Sequence, residues 1–511
     1  MNTLQNVSSE FYRVSDAFAS KGSGVFLVFI LSLSTLAFAS IILRVSSTDR
    51  VHGRLPPGSF GFPFIGESIQ YYASQKDMDA LGWFKKKREK YGPLFKSRVD
   101  GFKTILLDSP GGWKFMYSEF DENVIRVLYP PTVRDLTGPD SPIIKHGRVH
   151  RVYKSFLLNH FSGVDVVHRY IPTIGKVAVD HINSLWLSRS DNSEVKAQEL
   201  LQEFTFSIIG ILILGITDSS VLEDLRPKFE EFVNGFVRVS FRLNLPGFQY
   251  HRSMKARSQI HEILQRSLVK RRAELEEGKA TSTQDYLSVM LTHSNEDGYF
   301  YRDAEIRDIM LNLLWAGFES TATTMTMMMM HISRNPQVYD ELIKEHAGIA
   351  SKKAEGEALT LQELRSMKYT WAVMQETLRV SPSSADINRV AMVDLEYKGF
   401  TIPKGYRLTA AAGQSQWNPD RFPDPTKFDP SRFVTKTGTR SIEPYIFFPF
   451  GSGLRHCPGY ELARINTMTL FHHLLRNVKW TMVYLEEKCR YRFLFYPEKG
   501  LPIRITKCKA Y

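Results

Sequence analysis

Near its C-terminus the chain reads Phe448-Pro449-Phe450-Gly451-Ser452-Gly453-Leu454-Arg455-His456-Cys457-Pro458-Gly459. Glycine admits backbone conformations closed to other residues and lets the chain pass close to a flat object. The loop delivers one cysteine to the start of a helix predicted over about 457–476. A helix N-terminus and the neighbouring Arg455 and His456 favour a thiolate over a thiol. By residue chemistry alone two readings stand. Cys457 is a buried structural cysteine, the usual state of a lone thiol, or it is a thiolate offered as a metal ligand.

Three further segments carry groups capable of chemistry. Ala316-Gly317-Phe318-Glu319-Ser320-Thr321 lies inside an apolar helix predicted over 303–333. Glycine, acid and hydroxyl residues are poor choices for a core helix. They either bend it through local side-chain-to-backbone bonds or serve a site. Glu376 and Arg379, three apart, share one helical face, as a solvated pair or a built one. In Gly147-Arg148-Val149-His150-Arg151-Val152-Tyr153-Lys154, His150 and Lys154 are one turn apart, on a solvated basic face or an anion site.

The elements that must position these groups follow from pattern. Residues 77–91 predict a helix, and 94–108 alternate as a hairpin around Asp100-Gly101. From 147 to 380 the period is helical, broken near Gly163, Pro246-Gly247 and 295–298. Residues 389–412 predict short strands, 415–456 a long irregular segment, and the chain closes in strands. The fold class is mainly α with a minor β portion. Met325 and Met327 to Met330 fall in the 303–333 helix and are expected to fill core.

The composition fits this. Of 511 residues, 43% are hydrophobic and 23% charged, which excludes a disordered chain. Three cysteines exclude a disulfide framework. The net charge is +12, yet the basic residues form no aromatic-interleaved stripe, so nucleic acid is not an expected partner. Gly22 to Leu43 runs 22 residues without a charge, and about 20 apolar residues cross a membrane. A signal peptide would have a shorter apolar core. Arg44, Arg50 and Arg54 beyond it point the body to the cytosol. The expected organisation is a lumenal segment over 1–21, a single transmembrane anchor over 22–44, a proline-rich hinge over 45–67 and one catalytic domain over 68–511.

Phe450, Gly451, Gly453, Arg455, Cys457 and Gly459 match the haem-binding signature of the cytochrome P-450 family, and residues 55–511 resemble that family. The resemblance implies the cytochrome P-450 fold and haem b with Cys457 as axial ligand. It implies a structural triad of Glu376, Arg379 and Arg432. It places Ala316 and Gly317 at a dioxygen groove over the haem, with Glu319, Ser320 and Thr321 relaying protons. Ser320 stands where the family most often has threonine. His150, Lys154, Arg389 and Arg455 are the implied propionate partners, lysine replacing the family's arginine. Gln416 stands where a propionate-binding histidine is usual.

The implied activity is a membrane-bound oxidoreductase of the endoplasmic reticulum, a monooxygenase using O2 and electrons from NADPH–cytochrome P-450 reductase. No flavin or nicotinamide motif is present. Leu55-Pro56-Pro57-Gly58, Leu245-Pro246-Gly247-Phe248 and Met367-Lys368-Tyr369-Thr370-Trp371 are similar to segments of plant taxane hydroxylases and triterpene oxidases. A polycyclic terpenoid, a diterpenoid of taxane type, is the expected substrate. Residues 120–142, 383–387 with Asp386, and 497–501 are the expected specificity regions. The alternatives are a triterpenoid or sterol oxidase, a reductase-independent haem-thiolate isomerase or dehydratase, and a non-catalytic haem binder.

Overall fold

The computed structural model describes residues 53–508 apart from 76–79, 119–122, 239–241, 355, 384–385, 412, 414–415, 436–437, 441 and 493. The lumenal segment and anchor expected over 1–44 lie outside the described residues, as do residues 45–52 of the hinge. Helices dominate the remainder.

The hairpin forms as its turn residues demand. Asp100 and Gly101 both take positive φ, 55° and 77°, the two-residue turn that matches strand twist. Val99 therefore pairs with Phe102, and Leu94 with Leu107. Side chains alternate across the sheet. Leu94, Ile105 and Leu107 join one apolar cluster, and Phe95, Val99 and Leu106 join another. The sheet has five strands in the order Leu94–Val99, Phe102–Leu107, Arg407–Ala411, Asp386–Ala391, Ile125–Val127. A three-stranded sheet joins Val478–Met482, Pro502–Lys507 and Glu194–Lys196. Its short third strand gives no sequence signal, because three residues are too few to show a period. Cys489–Arg492 and Leu494–Pro497 form a C-terminal hairpin.

The largest core lies among helices. The central helix, Asp303–Arg334, runs 32 residues, roughly 48 Å at 1.5 Å per residue. It packs along Ala197–Leu214, with Phe318 edge-on to Phe206 at 5.6 Å and to Phe229 at 5.4 Å. Ala197–Leu214 is apolar and long enough to cross a membrane by composition, but it is a core helix here, with Leu201, Phe204 and Ile208 fully buried. It stops at Gly215, whose φ of 63° closes the last turn. Met325 and Met327 to Met330 are all buried in this core, as expected.

Two expected boundaries move. The helix expected over 77–91 begins at Ala80, after a separate helix Ser68–Gln75. The helix expected from Cys457 begins at Tyr460. Pro458 lacks a backbone N–H, and Gly459 takes the capping position, so the cysteine stays in the loop.

Candidate functional site

The loop before Tyr460–Asn477 is shaped by glycine and closed by backbone bonds. Gly451 and Gly453 take left-handed φ values of 72° and 63°. A Cβ on Gly453 would stand 3.1 Å from the Tyr117 carbonyl oxygen, so only glycine fits easily. Cys457 N–H donates to the Phe450 carbonyl at 2.9 Å, and the Cys457 sulfur accepts the N–H of Gly459. Phe450 lies edge-on to Tyr460 at 4.9 Å, pinning the loop to the helix.

Cations converge on this loop. Lys154, from helix Gly147–Leu157, donates to the carbonyls of Leu454 and His456 at 2.8 and 2.9 Å. Both carbonyls precede the cysteine, so Lys154 grips the loop on its N-terminal side. Arg455 donates to the Lys145 carbonyl at 2.6 Å and faces His146 at 3.2 Å. Arg389 projects from strand Asp386–Ala391 over the Tyr117 ring at 5.6 Å. Tyr129, which sequence reasoning missed, senses Arg389, Arg455 and Cys457 together. His150 is buried, and its pKa is pushed down to about 3 by burial and then by Arg455, Lys154 and His146. It is neutral, so it can donate one hydrogen bond but carries no charge to an anion.

The expectation that the loop by itself favours a thiolate is corrected. Burial pushes the Cys457 thiol up, and the Gly459 N–H and Lys154 pull it down by less. The cysteine is three residues outside the helix, so the macrodipole, which fades within a turn, gives little help. The donor set nonetheless fits haem. A half-buried sulfur with an N–H bond, open on one side, suits a metal ligand whose proton leaves on metal binding. Lys154, Arg455 and Arg389 suit the two propionates. Cys489, the buried alternative thiol, instead lies 3.7 Å from the Met330 sulfur in the core.

The central helix shows one open face. Ala316 is exposed and Gly317 and Ser320 are half-buried, in a stretch where Phe318, Glu319, Thr321 and Ala322 are buried. Ala316 and Ser320 stand one above the other, and the Ser320 hydroxyl donates to the Ala316 carbonyl at 2.8 Å. Thr321 is turned into the core. Gly317 serves a packing contact: a Cβ there would lie 3.0 Å from Ile209 Cδ1 of helix Ala197–Leu214. Glu319 is separated from Ser320. Gln202 Nε2 donates to its carboxylate oxygens at 3.2 and 3.4 Å, and the Tyr496 hydroxyl lies against it. Gln202 and Tyr496 carried no signal beyond being polar residues in apolar segments.

Glu376, Arg379 and Arg432 come together. Arg379 donates to Glu376 through Nε and Nη2, both at 2.7 Å, and Arg432 Nε stands 3.4 Å from the same carboxylate. Arg379 also donates to the carbonyls of Gln416, Pro425 and Lys427 at 2.8, 2.8 and 3.1 Å. Glu376 and Arg379 are fully buried. Gln416 is buried under the same helix, its amide oriented to donate to the Leu378 and Arg379 carbonyls at 3.1 Å. With its amide turned this way it caps the last turn of that helix. The side chain of Asp386 lies outside what the structure describes.

A model of the cytochrome P450 family matches residues 56–496, and the chain belongs to that family. Taxane 13-alpha-hydroxylase of Taxus cuspidata is 33% identical over 447 residues, spanning 88% of this chain and 90% of the relative. Beta-amyrin 16-beta-monooxygenase of Platycodon grandiflorus is 33% identical over 493 residues, spanning 95% and 99%. Retinoic acid bound cyanobacterial CYP120A1 shares the fold, with a TM-score of 0.78 at 24% identity over 90% of this chain and all of that one. The protein is an oxidoreductase of the monooxygenase type, and its cofactor is thiolate-ligated haem iron.

Proposed function

We propose that Cys457 is the axial ligand and that the substrate is a polycyclic terpenoid, specifically a diterpenoid of taxane type. The observation that carries the ligand assignment is the half-buried Cys457 sulfur, bonded by the Gly459 N–H inside a loop clamped by Lys154. The substrate class is supported by relatives named for taxanes and for beta-amyrin at equal identity. Bound in this loop, haem supplies activation of O2 and insertion of one oxygen atom into an apolar carbon.

The chain supplies the rest. Lys154 and Arg455, joined by Arg389, would neutralise the haem propionates, and neutral His150 would donate a hydrogen bond. Lysine is a point charge, so Lys154 can bond the loop carbonyls and a propionate at once, without arginine's planar fork. Ala316 leaves the open helix face shallow. Ser320 holds the hydroxyl on that face, and Glu319 is the acid that resupplies its proton. The triad holds the irregular segment 416–432 against the helix behind the loop.

Electrons come in this reading from NADPH–cytochrome P-450 reductase docking on the basic loop side. The anchor over 22–44 holds the chain on the endoplasmic reticulum membrane with the catalytic domain in the cytosol. Membrane contact is supported by exposed Phe62 and Ile65 at the end of the hinge, Ile69 just beyond it, and Leu243, Leu245 and Phe248 between two helices.

Coexpression with the reductase and a panel of taxane, other diterpene and triterpene scaffolds tests the substrate. Oxygenated diterpenoid product is expected. Product from beta-amyrin alone would transfer the assignment to triterpenoids. The reduced, CO-bound spectrum tests the ligand: Cys457→Ser abolishes the thiolate-type band, and a band that survives this change overturns the assignment.

A further inference from the structure

Glu319 is held by elements outside its own helix. Its carboxylate accepts from Gln202 of helix Ala197–Leu214, and the hydroxyl of Tyr496 on strand Leu494–Pro497 lies against it. The Tyr496 hydroxyl in turn meets Thr323, one turn along the central helix. These partners hold the carboxylate in a buried position, while Ala316 and Ser320 stand on the helix's open face. An acid that must pass a proton to that face therefore has to leave, or share, partners that the C-terminal hairpin supplies.

We propose that Tyr496 and Gln202 are positioning residues that hold Glu319 for proton delivery, Tyr496 linking that delivery to the C-terminal hairpin. This rests on the monooxygenase reading of the site and is independent of which terpenoid is oxidised.

The electrostatics agree with the geometry. Burial raises the Glu319 pKa, the Tyr496 and Gln202 bonds lower it, and the charge of Glu230 from helix Ser219–Arg238 raises it again. Glu230 is itself paired with Arg226 at 3.0 Å. A donor bonded to the charged form is what keeps a buried carboxyl within reach of ionisation.

The test reads the carboxyl directly. Infrared difference spectra of the purified haem protein are followed through a pH titration, with Glu319→Gln assigning the carboxylic acid band. Tyr496→Phe removes only the hydroxyl. It is expected to move the titration of that band upward by about one pH unit or more, the worth of a hydrogen bond to a charged acceptor. Gln202→Met is expected to move it the same way by less. A midpoint unchanged in Tyr496→Phe overturns the proposal, as does one unchanged in Gln202→Met. A substrate panel that fails to give diterpenoid product leaves this titration unaffected, so the two failures are distinct.

Discussion

Two hydroxyls compete for one role, and their surroundings differ sharply. Ser320 stands on the open face above Ala316, while Thr321 is buried among core side chains. A general acid must reach the atom it serves, so only Ser320 has the geometry. Ser320→Ala is expected to lower product per NADPH consumed by roughly tenfold or more. Thr321→Ala is expected to leave that ratio near the parent value and to cost about 1 kcal/mol of stability. Product ratio and denaturant midpoint together check this, and equal uncoupling in both variants would reject it. The threonine-to-serine departure at 320 thus keeps the hydroxyl and loses the methyl that stiffens χ1.

At the scale of elements, the charged triad joins the helix Lys368–Val380 to an irregular segment with few ladder bonds of its own. Arg379 spans from Glu376 to three carbonyls over residues 416–427, and the Asp429 N–H returns to Glu376 at 2.8 Å. Breaking a fully buried pair leaves an uncompensated charge, at about 3–5 kcal/mol. Glu376→Gln should lower the unfolding free energy by about that amount, read from denaturant unfolding. The thiolate-type CO band of the folded fraction should keep its position. A loss below about 1 kcal/mol would show that the bonds to carbonyls suffice. The spacing of Glu376 and Arg379 was legible as one helical face. That the pair is buried was not, because the segment covering it has no periodic pattern. Gln416 shows the same limit: its capping of helix carbonyls depends on where residues 415–418 fold back.

Over the whole molecule, buried histidines set the response to acid. Away from the Cys457 loop, His181, His261, His331, His346, His472 and His473 are pushed to between about 2 and about 4, in each case chiefly by burial. His346 and His472 meet Nδ1 to Nδ1 at 3.0 Å, joining helices Pro336–Ala350 and Tyr460–Asn477 behind the cysteine loop. The unfolded chain binds these protons near pH 6.5 and the folded one does not. The stability they contribute is therefore full above about pH 6.5 and is lost as pH falls towards their folded values. Each contributes a slope of up to about 1.4 kcal/mol per pH unit. Unfolding midpoints should fall steeply between about pH 6 and 4, and a His346→Leu/His472→Leu double variant should fall less steeply. Equal slopes would refute the assignment.

The cysteine loop, the hairpin at Asp100-Gly101, the long central helix and the acid-hydroxyl segment were all determined by sequence alone. Local rules govern each of them: glycine for left-handed backbone, a two-residue turn, an uninterrupted apolar period. Their partners were decided by tertiary structure. Lys154 gripping the loop across 300 residues of chain, Gln202 and Tyr496 holding Glu319, and Ser320 facing outward while Thr321 faces in all depend on how helices pack. Packing aims side chains by contacts far apart in the chain, and no local spacing encodes that aim. The three cysteines make the same point: Cys457 was distinguishable by its loop, but the grip of Lys154 on that loop and the burial of Cys489 against Met330 are supplied only by the fold.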